Sequence, residues 1–437
     1  MNKKRSIIWI TVFLLVIIAP TFVAFVVGNG LDSTNYENRI MASLPEISID
    51  NYEEFSKEFE NYYNDNLPFR NELINLNSKI SYYGFRDSSS DKVLVGQEEW
   101  LFYMDGGVQS STGQWQWENY ELERIAENLS NAKKYLEHEG IELVVFIAPN
   151  KETVYKDKLP DNYPIISEKT RGEVLVEYLR ENTDVNVLFP VEELRNVREE
   201  HETYLQFDTH WNNLGAYLGA KLINEQLGIK MPELEEIEFE KIVETRGDLA
   251  RMLHLSFDGR GENYDFKEYD DEMNEFQDST FMERHNENGD ERVVLVQKDS
   301  FGVRLSQYLA PEYQDAYFVS NEVEKYIKEL KPDVLVYEVI ERNSGAMGLR
   351  LKFVEMEINN LDDKKEICFS ATTSNPLEYV SVFKSKNGSQ DVEVIQVLQP
   401  LKEMKLEATR EETGEFYIYI FKDAEGQNVM KEMVIPY

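Results

Sequence analysis

Strand-length apolar runs alternate with amphipathic helical patterns from about residue 92 to 361, which predicts an α/β domain: a parallel sheet with helices on both faces. Three observations carry this prediction. The runs at Glu142 to Ala148 (ELVVFIA), Arg292 to Gln297 (RVVLVQ) and Asp333 to Ile340 (DVLVYEVI) are nearly continuous in aliphatic residues, as strands buried on both faces are. Segments of 3.6-residue periodicity separate them. Past residue 362 the pattern changes to short β-rich runs broken by turn residues such as Asn387-Gly388, which predicts a separate small antiparallel β-sandwich over 362–437.

The chain begins with Lys3, Lys4 and Arg5, followed by Ser6 to Gly28 without a charged residue. That is about the ~20 residues a helix needs to cross a bilayer, and Pro20 is tolerated in such a helix. Basic residues before it and Asp32 and Glu37 after it orient the N-terminus inside and the body outside. Residues 1–30 are therefore expected to be a cytoplasmic stub and single membrane anchor, and the rest a cell-surface or periplasmic body. A cleaved signal peptide is the competing reading, but no A-x-A site follows the apolar core.

Residues 31–91 read as an extracellular linker and helical lead-in. Tyr52, Phe55, Phe59 and Tyr62 form one stripe, Pro68 interrupts it, and a second helix spans Glu72 to Tyr83. A hairpin is expected over 92–103 around Gly96 to Glu99. Helix Glu118 to Glu139, strand Glu142 to Ala148, helix Glu168 to Asn182, strand Asn186 to Pro190 and helix Asn213 to Leu227 follow. Residues 254–290 are acidic and poor in aliphatics, and read as a long insertion loop. Strand Arg292 to Gln297, helix Val303 to Leu309, strand Ala316 to Ser320, helix Glu322 to Leu330 and strand Asp333 to Ile340 complete the series.

The net charge is −36, from 46 basic and 82 acidic residues. Such a surface repels phosphate backbones and argues against nucleic acid as a partner. One cysteine, Cys368, excludes an intramolecular disulfide and a multi-cysteine zinc site.

The chemistry is expected where strands end. In Phe207-Asp208-Thr209-His210-Trp211-Asn212-Asn213 an acid stands two residues before a histidine, in a loop ahead of a helix. An acid that orients an imidazole needs a nucleophile from another loop. Ser300 follows a buried strand directly and opens a helix. Its hydroxyl is placed to project from a tight turn, with first-turn amides nearby for an oxyanion. Against this, serine at a helix start is usually a cap, and a lone D-x-H favours structure over catalysis. A metal site is the weaker option, because Asp208 and His210 supply two ligands with no evident third. No metal and no cofactor are expected.

Several stretches, taken in order, resemble the AlgJ/AlgX-type polysaccharide O-acetyltransferases, whose catalytic domain is SGNH-hydrolase-like. They are NDNLPFR at Asn64, VLVGQEEWLFY at Val93, APNKETVYKDKLP at Ala148, FDTHWNNLGAYLGAKL at Phe207, RGDLARML at Arg246 and KDSFG at Lys298. The resemblance covers residues 37–343. It implies an α/β/α sandwich and a triad of Asp208, His210 and Ser300, in a circularly permuted order relative to ordinary SGNH hydrolases. It suggests Asn150, Lys151, Tyr155, Trp211, Gly247, Arg304, Glu341 and Arg342 as substrate-binding or supporting residues. It implies O-acetylation of an extracellular polysaccharide, with a membrane-bound O-acyltransferase supplying the acyl group. A carbohydrate esterase with the same triad, a role in D-alanyl transfer to teichoic acid, and a non-enzymatic polysaccharide-binding scaffold are the alternatives. The C-terminal β-domain is a candidate carbohydrate-binding module.

Overall fold

The structure is a computed structural model. It describes residues 5–15, 41–45, 52–67, 69–244, 247–257, 259–269 and 280–348, together with six strands between 354 and 423. A six-stranded sheet organises the body, in the order β4-β3-β10-β8-β9-β7. Its strands are β3 (Glu142–Ala148), β4 (Asn186–Leu188), β7 (Phe281–His285), β8 (Asp290–Gln297), β9 (Tyr313–Val319) and β10 (Val334–Ile340). The first five in that order pair in parallel, and β7 runs antiparallel on the edge beside β9.

Side chains alternate across each strand, so the sheet has two buried faces. Val144, Phe146, Val294, Val296 and Val336 pack on one side. Helices α5 (Asn213–Gln226) and α7 (Phe301–Leu309) cover them through Leu214, Tyr217 and Leu305. Leu143, Val145, Ile147, Leu295 and Leu335 point to the other side. There α3 (Asn119–His138), α4 (Arg171–Asn182) and α8 (Val323–Leu330) meet them with Ile125, Leu175 and Ile327. The expected α/β architecture is thus a three-layer domain whose sheet is mixed at one edge.

Caps fix two of these helices. Thr170 and Glu173 form a reciprocal capping box that opens α4. Asn212 accepts the Gly215 amide at 3.0 Å and so starts α5 directly after the Asp208 to Trp211 loop.

The 92–103 hairpin is present as β1 (Val93–Val95) and β2 (Leu101–Tyr103). In the lead-in, α1 (Tyr52–Asp65) and α2 (Arg70–Lys79) flank Pro68, and α2 ends in a wider π-helical turn over Ile80–Phe85.

The insertion is a correction. Residues 254–290 are not one loop, because β6 (Glu262–Phe266) pairs with β5 (Phe239–Val243) and β7 joins the main sheet. Aromatic rather than aliphatic residues supply the burial: Tyr264 and Phe266 stack with Tyr217, Phe239 and Tyr308.

The C-terminal portion contains two three-stranded antiparallel sheets, β11-β12-β15 and β14-β13-β16, from β11 (Val354–Asn360), β12 (Lys364–Ala371), β13 (Leu377–Ser385), β14 (Val392–Leu398), β15 (Glu403–Thr409) and β16 (Glu415–Asp423). Because β11 pairs along its length with β12, the β-rich part begins by Val354 rather than at 362. The last β-rich run of the sequence, Met430 to Ile435, lies outside the described residues.

At the N-terminus, residues 5–15 are helical, with Ile7, Trp9 and Phe13 exposed. The remainder of the expected anchor, 16–28, lies outside the described residues. Among the described residues no helix is long and apolar enough to cross a membrane.

Candidate active site

Three neighbouring strands deliver the site. β3 ends at Ala148 ahead of Asn150, β8 ends at Gln297 ahead of Ser300, and β10 ends at Ile340 ahead of Glu341 and Arg342. The turn after β8 is held from both sides. Asp299 accepts the Phe301 amide at 2.8 Å and the Ile340 amide at 2.7 Å, and its own amide donates to Glu338 Oε2 at 2.8 Å. Glu338 is the one acid within strand VLVYEVI, and it is buried. Burial, and then the Asp299 charge, push its carboxyl well above the usual carboxylate range. A Cβ on Gly302 would lie 2.4 Å from Lys298 Cβ and 3.0 Å from Glu338 Oε2, so the turn packs too tightly for a side chain there. Ser300 itself is exposed and unstrained, with φ −68° and ψ −22°.

The Asp208 to Trp211 loop faces this turn. His210 Nε2 lies 2.8 Å from Ser300 Oγ, and His210 Nδ1 lies 2.6 Å from Asp208 Oδ1. A carboxylate against Nδ1 places the ring proton there and leaves Nε2 as the acceptor facing the hydroxyl. The His210 amide donates to Asp208 Oδ1 at 2.9 Å and the Asp248 amide to Oδ2 at 2.8 Å. Burial opposes the Asp208 charge, but these bonds and the imidazole hold it well below the usual carboxylate range. Burial likewise opposes protonation of His210, but the bond and charge of Asp208, with Asp248 adding, raise its pKa above the ordinary value of 6.5.

Asp248 was missed in the sequence, because its partners lie some forty residues away. It accepts from the Thr209 amide at 2.8 Å and from the Thr209 hydroxyl at 2.6 Å, so a second acid braces the loop. It opens the short helix α6 (Asp248–Met252) just after Gly247. A Cβ at Gly247 would lie 2.1 Å from the Phe207 carbonyl oxygen, so only glycine lets the two backbones meet this closely. Asp208, His210 and Asp248 together could offer a cation ligands within 4.8 Å of one another. Each carboxylate oxygen of the pair already accepts a hydrogen bond from the chain, and the imidazole is engaged at both nitrogens.

The supporting candidates divide. Asn150 and Arg342 reach the site. The Arg342 guanidinium lies over the Phe301 ring at 5.6 Å and the Tyr103 ring at 5.7 Å, and the Phe301 ring centre is 4.8 Å from that of His210. Arg342 Nη1 approaches Asn150 Oδ1 at 3.4 Å, while Asn150 Nδ2 is buried with no hydrogen-bond partner among the described residues.

The others are engaged within the protein, as supporting residues rather than as exposed ligand contacts. Lys151 is buried and donates to the carbonyls of Leu205, Gln206 and Asp208, and burial lowers its pKa to about 8. Tyr155 is buried, stacks on Trp100 at 4.2 Å and accepts the Thr203 amide. Trp211 is a core residue whose indole donates to the Phe301 carbonyl at 3.2 Å. Arg304 is committed to Asn213 Oδ1 and Glu244 Oε2. Glu341 accepts from the Asn150 and Gly172 amides and from the Thr153 hydroxyl. The Phe301 amide, a first-turn donor expected to be free, is taken by Asp299.

Comparison with known proteins bears on the domain that holds Asp208 and His210. The family described as "SGNH hydrolase-like domain, acetyltransferase AlgX" matches residues 93–295. The segment 93–295 is an SGNH hydrolase-like domain of the AlgJ/AlgX family. The match includes Asp208 and His210 and stops five residues short of Ser300. Among curated proteins the chain is 24% identical over 208 residues to "Probable alginate O-acetylase AlgJ" of Pseudomonas syringae pv. tomato, covering 46% of this chain and 51% of that one. The chain thus spans about half the length of the curated relatives it matches. Among solved structures, Bacillus cereus PatB1 aligns with a TM-score of 0.44 at 17% identity, over 59% of this chain and 99% of that one. The O-acetyltransferase domain of Pseudomonas putida AlgJ aligns at 0.39 and 18%, over 58% and 92%. The SGNH-like domain therefore carries the candidate acid and base, and the candidate nucleophile stands just beyond the matched segment.

Proposed function

We propose that this chain is a serine-dependent O-acyltransferase that acetylates hydroxyls of a polysaccharide outside the cell membrane. The observation that carries the reading is the continuous hydrogen-bonded chain from Ser300 Oγ through His210 to Asp208, at 2.8 and 2.6 Å. In this mechanism His210 Nε2 takes the Ser300 proton as Oγ bonds to the acyl carbon of an ester donor. The bond to the donor oxygen then breaks, and His210 returns the proton to that oxygen. Asp208 holds the imidazole in the required tautomer and stabilises the imidazolium. Asn150 Nδ2 is our choice of oxyanion donor, as a buried amide with no other partner among the described residues. In the second half the acceptor hydroxyl gives its proton to His210, its oxygen bonds to the acyl carbon, and Ser300 leaves with that proton.

The reading also includes an N-terminal anchor and a membrane-bound O-acyltransferase that supplies the donor. The AlgJ relatives, named for alginate acetylation, favour acetyl as the group and a polysaccharide as the acceptor.

The test is to incubate the full-length chain with p-nitrophenyl acetate, with and without oligosaccharide. The expected result is an acetyl adduct on the peptide containing Ser300 and acetylated sugar, with Ser300→Ala lowering ester cleavage by more than about 10³-fold. Full activity in Ser300→Ala would refute the mechanism. Free acetate alone, with no acetylated sugar, would make the protein an esterase, with water in place of the acceptor.

A further inference from the structure

We infer that Trp115 and Asp105 form an acceptor subsite next to Arg342 that takes an uncharged hexopyranose unit. This inference rests on the acyl-transfer reading and adds the class of sugar to it. Trp100 and Trp211 are buried, whereas Trp115 keeps 43% of its surface exposed. Its ring is fixed from behind. The Arg171 guanidinium lies 4.0 Å from the Trp115 ring centre and 3.3 Å from that of Trp117, so the cation is stacked between two indoles. The Arg171 side chain is only 1% exposed and donates to the Gln116 carbonyl at 2.7 Å. An indole held against a buried cation, with 43% of its surface exposed, is a preorganised platform for the apolar C–H face of a pyranose.

The platform approaches Arg342 through Gly106. The position that a Cβ of Gly106 would occupy lies 3.6 Å from the Trp115 ring and 3.5 Å from Arg342 Cβ. Trp115 and Arg342 therefore flank one glycine, where the absent side chain leaves the floor between them open. Arg342 leads on to Phe301, and Phe301 to His210. A sugar seated on Trp115 directs the neighbouring units of its chain along this line toward Ser300.

Charge decides the class of sugar. Asp105 is exposed and close enough to Tyr103 to oppose ionisation of its phenol. Glu118 is exposed, and Glu121 lies 3.7 Å from Arg171. Carboxylates along the strip accept hydrogen bonds from vicinal sugar hydroxyls and repel a carboxylated ring. Arg171 is paired with Glu121, so Asp105 and Glu118 are the exposed acids of the strip. Arg342 has the buried Glu152 carboxyl within electrostatic range and Asn150 beside it.

The test uses the full-length Ser300→Ala chain, which removes turnover, and two probes, cellohexaose and a hexameric oligouronate. Binding is followed by calorimetry and tryptophan fluorescence. Cellohexaose is expected to bind more tightly than the uronate. Trp115→Ala is expected to weaken it about tenfold, and Trp115→Phe to restore most of the loss. Asp105→Asn, at an exposed position, is expected to narrow the preference for the uncharged probe. A native chain that binds no cellohexaose, a Trp115→Ala chain that binds it equally well, or tighter binding of the uronate would each overturn the proposal. If Trp115→Ala melts below the native chain, Trp115→Phe and Asp105→Asn decide alone. The measurement involves no chemistry, so failure of acyl transfer leaves it readable, and loss of binding leaves ester cleavage readable.

Discussion

His210 carries the functional reading, and its environment makes a signed prediction. A general base must be neutral to accept the Ser300 proton. Its pKa is raised above 6.5 because the Asp208 bond and charge outweigh burial. Ester cleavage should therefore rise with pH through a midpoint above 6.5. Asp208→Asn removes the carboxylate that favours the imidazolium, so the midpoint should move to lower pH while kcat falls by about 10⁴-fold. A pH–rate profile of both chains checks this, and an unmoved midpoint would detach Asp208 from the base. At the same scale, residues singled out by type separate by direction. Lys151, Tyr155 and Trp211 have the chemistry of ligand-binding side chains, yet all point inward.

At the scale of elements, two loops are held by acids on neighbouring segments. Gly247 lets the start of α6 touch the Phe207 carbonyl, so that Asp248 reaches both Asp208 and Thr209. Gly247→Ala should cost about 2 kcal/mol in urea unfolding and reduce ester cleavage together with stability. Unchanged values for both would show that the loop tolerates the shift. Under the Ser300 turn, burial and then the Asp299 charge raise the Glu338 carboxyl above its unfolded pKa. A carboxyl raised by folding contributes stability below its unfolded pKa and loses it as pH rises through the folded value. Glu338→Gln keeps the shape without that loss, so its stability relative to the native chain should increase as pH rises above the ordinary carboxylate range. Glu338→Ala should instead cost about 1–3 kcal/mol at any pH, because the buried Asp299 amide loses its acceptor. Urea titrations at several pH values separate the two.

For the whole molecule, a net charge of −36 slows the approach of anions and leaves neutral molecules indifferent. Raising ionic strength from about 0.01 M to about 0.15 M shortens the Debye length from ~30 to ~8 Å. kcat/KM should then rise for an anionic acyl ester and stay nearly constant for a neutral one. Equal responses would show that the site is shielded from the surface field. The α/β body was legible because strands buried on both faces leave continuous aliphatic runs. The strands inside the acidic segment were not, because Tyr264, Phe266 and Met282 bury themselves among polar neighbours and leave no aliphatic run.

The sequence by itself determined the local pieces: the aliphatic runs that become β3, β8 and β10, the helix that follows the D-x-H loop, and a serine at the strand-to-helix turn after β8. Periodicity and capping are properties of a few consecutive residues, so they can be read without the fold. Only the tertiary structure decided that Ser300 and His210, ninety residues apart, lie 2.8 Å from each other. It also decided that Asp248 and Glu338 brace their two loops, and that Arg304 and Lys151 are bonded to other parts of the chain. These outcomes depend on which strands are neighbours. Strand order is set by how the helices cover the two faces of the sheet, and no short stretch of sequence encodes it.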